Sequence, residues 1–172
     1  VPHIREHGRA ERWTGRRYER LELLGSGAFA DVFKVFDTQE GVPRAMKLIT
    51  PATGRDPKAL QQFQSEGRWL RELDHPNIVK CYDVGVEEDR QFIIMDYVEG
   101  QTLDDLITRR RREIPLETRL RIFLCVCSAA EYLHNQGILH RDLHPGNVLV
   151  GGADLETVRL TDFGLATMMD RE

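Results

Sequence analysis

The sequence predicts an α+β fold in two parts: a small antiparallel β-sheet carrying one helix, then a mainly helical remainder. Three observations lead there. Apolar and polar residues alternate on both sides of a glycine-rich turn in YERLELLGSGAFADVFKVFD, from Tyr18 to Asp37. A helix with its own start signal, Asp56-Pro57, interrupts the strand-rich half. Past Glu99-Gly100 the strand formers give way to helical spacing. The chain divides into a polar lead-in at 1–17, a first lobe at about 18–98 and a second at about 99–172.

Each element follows from local chemistry. The alternation from Tyr18 predicts two strands joined at the glycines, with a long tip between them. Glu40-Gly41 marks the next turn, and PRAMKLI supplies a third strand holding one lysine, Lys47. Asp56 caps a helix that runs to about Leu73, with Leu60, Phe63 and Leu70 on one side and Glu66 on the flank of that side. HPNIV stops the helix; IVKCYDVGV and RQFIIMDYV read as two more strands. Beyond Gly100, Thr102 to Arg112 and Leu116 to Asn135 are predicted helices, the second with Leu116, Leu120, Phe123, Leu124, Cys127 and Ala130 in one stripe. ILHRDLHPGNVLV and VRLTDFGLA are apolar runs flanking polar clusters, the pattern of loops on brief strands.

Composition narrows the function classes. The 172 residues carry 24 Lys+Arg against 28 Asp+Glu, a net charge of −4, with 41% hydrophobic and 30% charged residues. That balance builds a core, excludes a disordered chain and leaves no basic footprint for nucleic acid. The longest apolar run, Ile122 to Cys127, is far short of the roughly 20 residues a bilayer span needs, so no membrane partner is expected. Cys81, Cys125 and Cys127 have no zinc spacing, and the charged opening stretch has no apolar signal core; reduced thiols and a cytoplasmic location are the expectation. With no initiator Met and no terminating element at Glu172, the sequence leaves open that it is part of something longer.

Gly25-Ser26-Gly27-Ala28-Phe29-Ala30 is the first candidate for chemistry, because glycines let backbone N–H groups approach phosphate oxygens. Strand formers follow it, which excludes a Rossmann helix, and a Walker lysine is absent; an ordinary hairpin turn is the plain alternative. Lys47 in an apolar strand and Glu66 on an apolar helix flank are costly to bury singly, and mutual pairing removes that cost. Two surface charges that never meet is the alternative. His140-Arg141-Asp142-Leu143-His144-Pro145-Gly146-Asn147, followed closely by Asp162-Phe163-Gly164, puts an acid, an amide and a second acid on adjacent loops, as phosphoryl transfer to a hydroxyl requires.

With these motifs in order, the sequence resembles the eukaryotic-type (Hanks-type) protein kinase family from about Tyr18 to Ala166. The resemblance implies a two-lobe kinase fold with ATP and Mg2+ between the lobes. It implies that Gly25 and Gly27, within the loop Ser26, Ala28, Phe29 and Ala30 complete, cover the phosphates, that Lys47 contacts them and that Glu66 holds Lys47. Leu24, Val32, Ala45 and Leu149 would sandwich the adenine, with Met95 as gatekeeper and Asp96, Tyr97 and Val98 as the hinge. Asp142 would accept the substrate hydroxyl proton, Asn147 and Asp162 would hold magnesium, and His140 would orient the loop. The proline in H-R-D-L-x-P-x-N points to the Ser/Thr branch and a protein substrate.

Three departures shape the expectation. Ala30 replaces the third loop glycine, and His144 stands where Ser/Thr kinases usually carry a lysine. The chain stops eight residues after Gly164, before an A-P-E motif, so an incomplete large lobe is expected, its helical stripe left for a missing segment or a partner to cover. Two further readings stand beside the kinase: a pseudokinase-like scaffold that binds nucleotide without turnover, and a small-molecule kinase of the aminoglycoside type, whose loop the Asp-x-His-Pro-Gly-Asn run also resembles. Arg109 to Arg112 reads as a solvated charged face, and Trp13 and Trp69 as packing residues.

Overall fold

The computed structural model describes residues 17–110, 113–164 and 166–168; the lead-in through position 16, Trp13 within it, and Arg111 and Arg112 lie outside them. Strands β1 (Tyr18–Ser26), β2 (Ala30–Asp37), β3 (Val42–Ile49), β4 (Cys81–Glu87) and β5 (Arg90–Asp96) form one antiparallel sheet in the order β1-β2-β3-β5-β4. Helix α1 (Pro57–Glu72) lies between β3 and β4 in the chain. Asp56 caps it, its carboxylate accepting the Lys58 N–H at 3.0 Å, with proline in the first turn as the sequence predicts.

Alternation along β3 sets up the site. Ala45 and Ile49 join a core with Phe63 and Leu70 of α1, whereas Met46 and Leu48 face the other side with Tyr18, Val35 and Ile94. Lys47 therefore shares the α1 side. The helix approaches the sheet closely at Gly67, where a Cβ would stand 2.9 Å from Val84 Cγ1 and 3.4 Å from Ile93 Cγ1.

The second part begins with β6 (Gly100–Thr102), α2 (Leu103–Arg110) and α3 (Leu116–Asn135), and continues through β7 (Ile138–Leu139), β8 (Val148–Gly151), β9 (Thr157–Leu160) and β10 (Thr167–Met168). β6, β8 and β9 form a sheet in that order, and β7 pairs with β10. As the sequence predicts, this part is mainly helical and its loop motifs are carried on brief, hydrogen-bonded strand pairs. The strand predicted from Ile78 starts at Cys81: the preceding residues instead join the two parts, Val79 N–H donating to Leu160 O and Leu160 N–H to Asn77 O. α3 buries Ile122, Ala129 and Leu133, at i, i+7 and i+11 spacing. The predicted stripe is largely on its open side, with Leu116, Leu120, Phe123 and Leu124 exposed. Among the described residues no helix is long and apolar enough to cross a membrane.

Candidate active site

Lys47 is the hub. Its Nζ lies 2.7 Å from both carboxylate oxygens of Glu66 and 3.0 Å from Asp162 Oδ1. Burial alone would lower the Lys47 pKa, but the two carboxylates outweigh it and hold the ammonium above its ordinary value. Burial pushes the Glu66 carboxyl up, against the pull of Lys47. For Asp162 burial also opposes ionisation, yet Lys47 and the Gly164 N–H prevail and hold it below the usual carboxylate range. The pairing expected from cost alone is present, with Asp162 as a second partner.

The segment after β9 is fixed to α1. Phe163 N–H donates to Glu66 Oε1 at 3.3 Å, and Gln62 Nε2 donates to Gly164 O. The Phe163 ring is buried and packs edge-on against His140, centroids 4.8 Å apart. Asp162 and Arg141 both have φ of 63°, the left-handed region, which a non-glycine residue holds only when its surroundings over-determine it.

The loop between β7 and β8 is organised by its own side chains. His140 is buried, its Nδ1 accepting the Asp142 N–H at 3.3 Å, which leaves Nε2 to donate to Thr161 O at 3.1 Å. Burial holds this imidazole below its usual pKa, so it supports the loop as a neutral group. Asn147 Nδ2 donates to Asp142 O at 2.9 Å and to Asp142 Oδ2 at 3.1 Å. His144 Nδ1 accepts the Gly146 N–H at 3.1 Å, and its Nε2 stands 3.7 Å from Asp142 Oδ2.

A cleft of about 420 Å³ runs between the two parts. Of the predicted positions, Leu24, Gly25, Val32, Ala45, Lys47, Met95, Asp96, Tyr97, Val98, Asn147, Leu149 and Asp162 line it. Glu66 lies behind Lys47, and Asp142 beside Asn147. Ser26, Gly27, Ala28, Phe29 and Ala30 form the hairpin tip rather than the wall: Gly27 N–H donates to Ala30 O at 3.1 Å, Ser26 Oγ to Asp31 Oδ1 at 2.6 Å, and Phe29 is exposed. The Asp96 carboxylate is taken up by the Tyr82 hydroxyl at 2.7 Å and the Lys80 N–H at 3.0 Å. Sequence reasoning missed Gln101, Thr102 and Asp105, which also line the cleft. The signal was there in Thr-x-x-Asp: Thr102 Oγ1 accepts the Asp105 N–H at 3.1 Å and donates to its carboxylate at 2.9 Å. Gln62, one turn before Glu66, was missed as well.

The donor set fits a magnesium ion. Asn147 commits its amide nitrogen to Asp142, which leaves Oδ1 as its available atom, and Asp162 adds a carboxylate in the same cleft. Both are hard oxygen donors. Two such donors suit magnesium, which is commonly bound through one or two protein oxygens together with substrate phosphates and water.

Comparison with known proteins agrees with this arrangement. Residues 18–172 match the family model of the protein kinase domain. The chain is 36% identical over 153 residues to the serine/threonine-protein kinase PrkC of Bacillus subtilis, covering 89% of this chain and 23% of that protein. It is 38% identical over 151 residues to a probable serine/threonine-protein kinase PknB of Lactococcus lactis, 87% and 24% of the two chains. Against the serine/threonine-protein kinase Nek10 of Homo sapiens it is 39% identical over 161 residues, 87% and 14%. The chain thus spans about a quarter or less of the length of these relatives. A lysine clamped by two acids on the cleft wall, an aspartate held by the cleft-lining Asn147 amide and a family match from β1 onward stand together, and the chain belongs to the protein kinase domain family.

Proposed function

We propose that this chain is the nucleotide-binding and catalytic part of an ATP-dependent protein serine/threonine kinase, one that transfers the γ-phosphoryl group of Mg-ATP to a protein hydroxyl. The observation that carries the reading is the convergence of Lys47, Asn147 and Asp162 on one cleft, with Lys47 already held by Glu66 at 2.7 Å and Asp142 hydrogen-bonded to Asn147 beside it. Protein as the acceptor is supported by the relatives, all named serine/threonine-protein kinases.

Leu24, Val32, Ala45 and Leu149 give the adenine an apolar slot, and the backbone from Asp96 to Val98 offers hydrogen bonds to its edge. Lys47 presents a fixed positive charge to the α and β phosphates, and Glu66 prevents it from swinging away. Asn147 Oδ1 and the Asp162 carboxylate would hold magnesium, whose charge, when bound, offsets that of the phosphates. Asp142, oriented by Asn147, accepts the proton of the acceptor hydroxyl as its oxygen bonds to the γ-phosphorus and the bond to the ADP oxygen breaks. His144 faces Asp142 in the position of the usual lysine, so less fixed positive charge surrounds the transferring group. The exposed Leu116, Leu120, Phe123 and Leu124 support α3 as the packing face for further polypeptide of the whole protein, which the acceptor peptide needs for docking.

The test is transfer of radiolabel from γ-labelled ATP by the full-length protein to a generic Ser/Thr substrate, with Asp142→Asn as control and an aminoglycoside as competing acceptor. Label on protein that falls at least about a hundredfold in Asp142→Asn is expected. Label on the aminoglycoside alone, or none despite tight nucleotide binding, overturns the reading in favour of a small-molecule kinase or a scaffold.

A further inference from the structure

The glycine-rich hairpin is held by more than its own turn. Its tip carbonyls reach the linker between β3 and α1: Thr50 N–H donates to Phe29 O at 3.0 Å, and the Thr53 hydroxyl donates to Ala28 O at 3.1 Å. Thr53 is 7% exposed, an uncommon place for a hydroxyl unless it is fully hydrogen-bonded. It is. Thr53 N–H donates to Thr50 Oγ1 at 3.3 Å, and the Thr50 hydroxyl, 2.9 Å from Thr53 Oγ1 and 3.4 Å from Ala28 O, closes the ring of contacts. Thr53 O in turn accepts the N–H of Asp56, the residue that caps α1. One short chain of hydrogen bonds therefore runs from the flap tip to the start of the helix that carries Gln62 and Glu66.

From this we infer that Thr53 is a positioning residue, part of a two-threonine clasp that sets the height of the flap above the cleft and couples it to α1. Between Gly25 and the buried Ala30 the tip has small side chains and an exposed Phe29, so its outer residues have little side-chain packing to fix them and such an anchor is useful. A backbone carbonyl gripped by a buried hydroxyl is a directional restraint where side-chain contacts are absent. The consequence for the reaction rests on the reading that the cleft takes Mg-ATP: a flap held at one height presents its N–H groups to the phosphates without first being ordered, and nucleotide binding and the placement of Glu66 move together.

Thr53→Val keeps the shape and removes the hydroxyl; Thr53→Ser restores it; Thr50→Val cuts the same clasp from the other side should Thr53→Val fail to fold. Hydrogen exchange of the nucleotide-free full chain is read at the Gly27 and Thr50 amides, both hydrogen-bonded at the flap, alongside Mg-ATP titration. Loss of one such bond predicts exchange faster by about threefold to tenfold at these amides, with β4 and β5 unchanged, and Mg-ATP affinity weakened by a similar factor, both recovered in Thr53→Ser. Unchanged exchange at Gly27 and Thr50, a uniform acceleration across the sheet, or no recovery with serine overturns the inference. Exchange that changes as stated in a protein that binds no Mg-ATP upholds the clasp and sinks the nucleotide reading instead.

Discussion

Replacing Lys47 by methionine tests the electrostatics of the site before any ligand is added. The variant leaves Glu66, 2% exposed, and Asp162 without the ammonium that lies 2.7 and 3.0 Å from them in the native protein. Breaking a buried pair by removing one partner costs about 3–5 kcal/mol, a large part of the roughly 5–15 kcal/mol that stabilises a domain. Glu66 can limit the loss by taking a proton, since burial already pushes its pKa up and Lys47 is what opposes that push. The sign follows. With its folded pKa raised above the unfolded value of about 4.3, the carboxyl binds more protons folded than unfolded, so stability falls as pH rises, by about 1.4 kcal/mol for each unit of raised pKa. Urea denaturation of wild type and Lys47→Met at pH 5 and pH 8 measures this. The deficit of the variant should be larger at pH 8, and adding Glu66→Gln should remove most of the difference between the two pH values. A deficit below about 1 kcal/mol that does not change with pH would refute the argument that Lys47 is the counter-ion of Glu66.

Other expectations follow from single contacts. Gly67→Ala should already be destabilised in a thermal melt, because its Cβ would stand 2.9 Å from Val84 Cγ1 and about 1 kcal/mol of helix propensity offsets only part of an overpacking cost of about 1–3 kcal/mol, and Gly67→Val should lose more and weaken nucleotide binding. Asp37, buried and held by Arg17 and by the Gln39 and Glu40 N–H groups, has a pKa below its ordinary value; its stabilisation is complete above about pH 3.9 and is lost as pH falls through the folded value, so Asp37→Asn should flatten acid denaturation curves there. Burial pushes the Cys81 thiol up to about 11, while Cys127 is exposed. A thiol reagent at pH 8 should therefore modify Cys127 rapidly and Cys81 only on unfolding.

The parts of the fold legible in the sequence are those where one period dominates. The hairpin, β3 and α1 follow from apolar–polar alternation about the glycine-rich turn and from Asp56-Pro57, and the pairing of Lys47 with Glu66 follows from the cost of burying either alone. The stripe on α3 was legible as apolar but not as to which side faces inward, because Ile122, Ala129 and Leu133 form an equally regular row and the neighbouring β7 and β9 decide between them. The break before Cys81 was hidden for a similar reason. Ile78 and Val79 are strand formers, yet their backbone partners lie about eighty positions away at Leu160. The site residues that carry charge were readable from motif and spacing. Thr53 and Gln62 were not, since each acts through a hydrogen bond to an element that only the folded chain brings near, whereas Asp105 carried a local signal in Thr-x-x-Asp and only its place on the cleft was hidden.

Calorimetric titration with ATP, with and without magnesium, on wild type and Asp162→Asn tests the central claim most directly. Magnesium-dependent binding by wild type, lost or reduced at least tenfold in Asp162→Asn while the fold is retained, is the predicted result. Equal binding by the two proteins, or none by a folded wild type, would contradict it.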